Sequence, residues 1–282
     1  MEIKASDVKA LREKTGAGMM ECKKALTECD GDFGKAEKLL KEKGLAALEK
    51  RADRATNEGK VFLKIDGKTC ALAELSSETD FVARNEEFIA VGEEIVSRMI
   101  AKNIDTVTDE LSGLLNDLAT KIRENMSVKR VMLVKAKENE SFTKYIHGDG
   151  AIGVVIQMAA EKAEALENEK VQALAFDLAL HVAAFNPLAL DKSKIDPAYI
   201  SEQTEIYRKQ MEQDEKMKNK PANVLEGILQ GKINKHLAEI CFLDQGFVKD
   251  DKQSVAKVLE SVGKEVGSSL SISNYIYFRV GA

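Results

Sequence analysis

The sequence predicts an α+β fold that begins with a small all-helical module. Three observations carry this. Helix formers such as Ala, Glu, Lys and Leu are common, while the 282 residues hold only 3 prolines and no tryptophan. The apolar spacing is three to four residues through the first stretch, then changes to alternation at Val61, Leu63 and Ile65. Two glycine turns, Asp66-Gly67 and Gly148-Asp149-Gly150, each lie between β-rich runs.

Taken in order, Ser6 or Asp7 can cap a first helix carrying Val8 and Leu11, which Thr15-Gly16-Ala17-Gly18 breaks. Met19, Cys22, Leu26 and Cys29 form the stripe of a second helix, and Asp30-Gly31-Asp32 turns the chain. Phe33, Ala36, Leu39 and Leu40 mark a third helix ending near Gly44, followed by a helical or flexible connector over 45–58. Three such helices bury little surface, so the module suits recognition better than catalysis. After the 61–75 hairpin, helical patterns cover 88–100 and 111–123, and 128–134 is a strand. Strands over 142–146 and 152–158 flank the second glycine turn, giving a mostly antiparallel sheet. A duplicated half-domain is one arrangement these runs allow. Leu174, Leu178 and His181 make a helical stripe that stops near Asn186-Pro187. Asp196-Pro197 starts a helix, and 201–220 is so charged that it reads as an arm or hairpin with little core. Two short helices over 224–229 and 233–241, a longer one over 255–266, and a strand through Ile272, Tyr275, Tyr277 and Val280 complete the chain.

Composition removes several functions. The 42 Lys and Arg against 47 Asp and Glu leave a formal charge of -5, which argues against coating nucleic acid or an anionic membrane. No stretch reaches the run of about 20 apolar residues that spans a bilayer, and Met1-Glu2-Ile3-Lys4 has no apolar signal core. The expectation is a soluble cytoplasmic chain. Cys22, Cys29, Cys70 and Cys241 show no Cys-x-x-Cys pair and no His at ligand spacing, so they read as reduced, mostly buried thiols, with no metal.

Enzymatic motifs are equally sparse. There is no phosphate-loop signature, no nucleophile elbow and no zinc-protease pair. His181 lies on an apolar stripe and reads as structural, whereas His236 sits in a Lys-flanked helix and reads as exposed. Gly148-Asp149-Gly150-Ala151-Ile152-Gly153 fits G-x-G-x-x-G, but a dinucleotide loop needs a helix after it, and Val154-Val155-Ile156 prefers strand. The less ordinary stretch is Ser76-Ser77-Glu78-Thr79-Asp80-Phe81-Val82-Ala83-Arg84. Thr79 or Asp80 can cap the next helix. Phe81 and Val82 then either staple that helix to the sheet, or Phe81 projects as an apolar wedge beside the Asp80 carboxylate, a pairing found at interface hot spots.

Several stretches resemble one family. Leu11-Arg12-Glu13-Lys14-Thr15-Gly16-Ala17-Gly18-Met19-Met20-Glu21-Cys22-Lys23-Lys24-Ala25-Leu26 is similar to the N-terminal signature of bacterial elongation factor Ts. Glu78-Thr79-Asp80-Phe81-Val82-Ala83-Arg84 resembles its second signature. Lys121-Ile122-Arg123-Glu124-Asn125-Met126 with Lys129-Arg130-Val131, and Tyr145-Ile146-His147-Gly148 with Ile152-Gly153-Val154, resemble two further family stretches.

The resemblance implies a guanine-nucleotide exchange factor for the GTPase elongation factor Tu, with no cofactor, no metal and no covalent chemistry of its own. It implies a ubiquitin-associated-type module at 1–54, a core subdomain at 55–140, a related subdomain at 141–180 and 232–282, and an inserted helical arm at 181–231 that could support a homodimer. It further implies that Thr79, Asp80, Phe81 and Val82 reach the partner's Mg²⁺ region, and that Met19, Met20, Lys23 and His147 contact the partner. Nothing in it requires direct contact with nucleic acid or membrane. Met19 and Met20 lie about 100° apart on a helix, so at most one can point fully inward. Lys23 and Lys24, judged by pattern alone, are a solvated face. Two competing readings are a binding module without exchange activity, and an enzyme built on the glycine turn.

Overall fold

The computed structural model describes residues 3–217 and 220–282. Met1 and Glu2, part of the N-terminal reading, and positions 218 and 219 of the charged stretch lie outside the described residues. The architecture is α+β with antiparallel sheets. It divides into two compact units, Met1–Lys135 with Ile146–Gly153 and Phe278–Ala282, and Ala136–Tyr145 with Val154–Tyr277.

The first unit opens with helices α1 (Ala5–Thr15), α2 (Met19–Glu28) and α3 (Phe33–Glu49). Val8, Leu11, Cys22, Ala25, Leu26, Ala36 and Leu40 form their buried core, with Phe33 and Leu39 partly buried against it. Gly16 ends α1 in the left-handed conformation (φ 67°), which an unbranched backbone adopts at little cost. The third helix does not stop near Gly44 but continues to Glu49. The glycine is there for packing: a Cβ would lie 2.3 Å from Thr120 Cγ2 on helix α6 (Asp109–Ile122). The Ala-rich sequence beyond Gly44 then favours helix.

Strands β1 (Glu58–Asp66) and β2 (Thr69–Ser77) pair antiparallel from Glu58↔Ser77 to Asp66↔Thr69, around a two-residue loop in which Gly67 has φ 54°. Strand β3 (Met126–Lys135) pairs with β2, giving the order β1-β2-β3. Between β2 and β3 come the single-turn helix α4 (Asp80–Ala83), α5 (Glu86–Lys102) and α6. Their apolar stripes close over one sheet face, burying Phe62, Ala73, Leu75, Val82, Phe88, Ile95, Met99, Leu111 and Leu115 in one cluster. On the other face the buried Glu74 accepts from Arg130 Nε at 2.6 Å and from the Gly281 N–H at 3.1 Å.

The second unit holds most of a sheet ordered β4-β5-β8, from β4 (Glu140–His147), β5 (Ile152–Ala160) and β8 (Leu270–Arg279). The glycine turn joins β4 to β5, and so short a link can only serve antiparallel neighbours. Helix α7 (Glu169–Phe185) ends at Asn186, as the Asn-Pro signal predicts. Helices α8 (Pro197–Gln213, capped by Asp196) and α9 (Ala222–Ile240) follow, then the small hairpin β6 (Gly246–Phe247) and β7 (Asp250–Ser254), and α10 (Val255–Val266).

Two expectations are corrected here. The 222–240 region is one helix rather than two short ones. Leu225, Leu229, Ile233 and Leu237 form one continuous stripe packed with Met211 and Tyr207 of α8, which outweighs about 1 kcal/mol lost at each of Gly227 and Gly231. His236 is half-buried rather than exposed, since α8 covers it: its Nε2 lies 2.9 Å from the Tyr199 hydroxyl and its ring stacks on Tyr199. Of the cysteines, Cys22, Cys70 and Cys241 are buried and Cys29 half-buried, with no disulfide among the described residues. No helix among the described residues is long and apolar enough to cross a membrane.

His181 is fully buried on α7, as its stripe predicts. Its Nε2 donates to Gln245 Oε1 at 2.9 Å, its ring stacks on Phe242, and Nδ1 has no hydrogen-bond partner among the described residues. Burial holds its pKa below the usual 6.5, with the Gln245 bond opposing. Below that ordinary value the unfolded chain therefore binds more protons than the folded one. The stability this neutral ring contributes is complete above about pH 6.5 and is lost as pH falls from there toward the lowered folded value. His181→Gln removes the titration, so its melting temperature should fall less than the parent's between about pH 7.5 and 5.5. Melting curves at both pH values check this; equal falls would refute it.

Candidate functional site

All of the residues assigned to contact belong to the first unit. Buried Ser76 and Ser77 end β2, and the chain turns immediately into α4. The Ser77 hydroxyl donates to the Thr79 carbonyl at 2.9 Å, fixing the turn. Thr79 caps α4, its Oγ1 accepting the Val82 N–H at 3.4 Å. Over so short a helix, successive side chains diverge by about 100°. Val82 consequently points into the core at 5% exposure, while Phe81 stands in solvent at 81%. Of the two readings the sequence left open, the staple is therefore made by Val82 and Phe88, and Phe81 projects. Asp80 is half-buried, its carboxylate 3.5 Å from the Arg84 guanidinium in an exposed i,i+4 pair worth about 0–1 kcal/mol.

The N-terminal residues come from α2. Cys22, Ala25 and Leu26 fill the module core, so both methionines remain outward, Met19 at 42% and Met20 at 66% exposure. Lys23 is exposed one turn further along. Glu21 reaches back to accept the Gly18 N–H at 3.0 Å. That bond, more than the adjacent Arg123 guanidinium, holds the Glu21 carboxyl below the usual carboxylate range against partial desolvation.

Residues 123–125 join these two motifs, a role for which the sequence offered no local signal. Arg123 ends α6 with φ 67°, a conformation that costs a non-glycine residue about 1 kcal/mol. Its guanidinium pairs with Glu21 at 2.5 Å. The next residue, Glu124, accepts from the Thr79 N–H at 3.2 Å and from the Thr79 hydroxyl at 3.0 Å. Asn125 N–H donates to Glu78 at 2.6 Å, and Glu78 also pairs with Arg54 at 3.3 Å. The partners of residues 123–125 named here are 45 to 102 residues away from them, so only the matching stretch at 121–126 hinted at them.

His147 is exposed at the end of β4, before a turn whose Gly148, Asp149 and Gly150 all have positive φ. Lys60 pairs with Asp149 at 3.0 Å, and the Val61 N–H donates to the Gly150 carbonyl at 2.8 Å. A Cβ on Gly153 would lie 2.5 Å from Val61, so the turn sits tight on β1. Val61 pairs with Glu74, three residues before Ser77, which puts this turn toward the same end of the sheet, about 10 Å along the strands from the start of the Phe81 turn. A strand follows the glycines, so this is a hairpin turn and not a dinucleotide loop.

The surface thus presents an isolated aromatic beside a carboxylate and, on a linked helix, two methionines beside a lysine. Exposed apolar side chains beside charges are a composition enriched at interface hot spots. The family model described as Elongation factor TS matches residues 78–282. Curated proteins named Elongation factor Ts are similar along their full length. That of Treponema denticola is 55% identical, with 100% of this chain and 99% of the relative covered. That of Treponema pallidum is 44% identical over the same shares. That of Borrelia hermsii is 40% identical with both chains wholly covered. With these matches added to the two signatures and the geometry that joins them, the chain belongs to the elongation factor Ts family.

Proposed function

We propose that this chain is a translation elongation factor of the cytoplasm that promotes GDP release from elongation factor Tu. The observation that carries the proposal is Phe81, a large apolar side chain 81% exposed on a hydrogen-bonded turn. A GTPase retains GDP through phosphate contacts and Mg²⁺, the largest local charge in its site. A protein that binds better once those contacts are broken must weaken nucleotide affinity by the same factor. Phe81 and Asp80 would displace the groups that support the metal, while Met19, Met20, Lys23 and His147 hold the partner. This is exchange without covalent chemistry, and GTP rebinds afterwards. A formal charge of -5 favours a protein partner over nucleic acid. The division into a module, two related subdomains and an inserted arm belongs to the same proposal.

The test is displacement of a fluorescent GDP analogue from elongation factor Tu. Adding the chain at micromolar concentration should accelerate release by a large factor. An unchanged release rate, with binding still detected, would leave only the non-exchanging binding module.

A further inference from the structure

The exposed face of Phe81 raises a mechanical question. A wedge must keep its direction, yet this side chain has almost no neighbours to hold it. Its aim is set by the backbone of α4, and that short helix is anchored at two places. One is the buried pair Val82 and Ala83. The other is Thr79, whose hydroxyl has one hydrogen to give. With the Glu124 carboxylate at 3.0 and 3.1 Å that hydrogen points to Glu124, leaving the oxygen lone pairs for the Val82 N–H. Glu124 also takes the Thr79 N–H. One carboxylate therefore fixes both the rotamer of the capping side chain and the backbone at which α4 begins. The residue before it, Arg123, ties down α2 through Glu21.

Resting on the exchange reading, we infer that Glu124 is a positioning residue for nucleotide release: it touches no nucleotide and acts by holding the Thr79 cap so that Phe81 meets the partner in one orientation. The Arg123–Glu124 dipeptide then registers the Phe81 turn against the Met19, Met20 and Lys23 face, and one partner meets both surfaces at once. Such a residue governs the rate within the complex more than its formation, because the apolar contacts on α2 persist without it.

Release of the fluorescent GDP analogue from elongation factor Tu, measured over a range of exchange-factor concentrations, separates the maximal rate from the half-saturating concentration. Glu124→Gln should lower the maximal rate about tenfold and move half-saturation by no more than about twofold, the loss expected when charge-assisted hydrogen bonds are weakened. Thr79→Val should behave like Glu124→Gln, Thr79→Ser should restore the parent rate, and the double Glu124→Gln/Thr79→Val chain should be no slower than the worse single variant. A Glu124→Gln rate equal to the parent's would overturn the inference. So would effects that multiply in the double variant, or a rate and affinity that fall together with a melting temperature several degrees lower. If the parent chain itself fails to accelerate release, the exchange reading falls and this inference with it. If the parent accelerates release and Glu124→Gln and Thr79→Val both match it, the inference alone falls.

Discussion

Phe81→Ala should slow GDP release from elongation factor Tu by about 10- to 100-fold, the loss that truncating an aromatic hot spot of roughly 2 kcal/mol or more produces. Its own melting temperature should stay within about 2 °C of the parent's, because the ring is 81% exposed and its removal opens no cavity. The contrast between the two readouts is what discriminates. If Phe81 stapled α5 to the sheet, removing it would cost several kcal/mol of stability, and the loss of exchange would follow from unfolding. Here the staple is made by its neighbour Val82 and by Phe88, 5% and 0% exposed. Asp80 supports the same expectation. Its pair with Arg84 is long and exposed, so the carboxylate can turn to a partner at little cost. Measuring release and melting on the same preparation checks both halves, and a fall of several degrees would restore the staple.

What could be read from the sequence depended on the range of the interactions. The hairpin of β1 and β2 was legible because alternation at Val61, Leu63 and Ile65 and a glycine at the loop are local signals, and α5, α6, α7 and α10 were legible from their apolar period. The end of α3 was misjudged because Gly44 looks like a stop, and only the approach of Thr120, 76 positions away, shows that it is a packing site. Splitting α9 in two failed for a similar reason, since the stripe facing α8 carries the helix through Gly231. The β6–β7 hairpin gave no signal, Asp250–Ser254 being wholly polar and mostly exposed. At the site, the apolar period placed Met19 on the inward stripe, where it is in fact 42% exposed, and it was the family resemblance that singled out Met20, Lys23 and His147. Whether Phe81 or Val82 turned inward depended on a one-turn helix too short to show a period, and the Thr79–Glu124 and Glu21–Arg123 links join distant segments. Both methionines proved to be exposed because Cys22, Ala25 and Leu26 already fill the module.

Phe88→Ala, seven residues further along, should have the opposite effect: a loss of about 3–5 kcal/mol in unfolding free energy, as for other large-to-small core changes at fully buried phenylalanine. Phe88 is 0% exposed and belongs to the cluster that α5 and α6 close over the sheet. Its ring lies 6.0 Å from that of Phe62, tilted by 56°. Phe62 cannot swing in to fill the space, since its own ring is lodged against Gly92, where a Cβ would come within 2.2 Å. The cavity should therefore persist, placing the cost toward the upper part of the range and the shift in melting temperature on the order of 10 °C. Phe88→Leu keeps most of the volume and should cost about half as much. Denaturant titration of the three chains checks the order. Exchange activity should scale with the fraction folded, so that at low temperature the folded Phe88→Ala chain approaches the parent rate while the folded Phe81→Ala chain does not. Equal stability for Phe88→Ala and the parent would mean that Val82 and Ile95 hold α5 without it, and that the sheet tolerates a void beside Phe62.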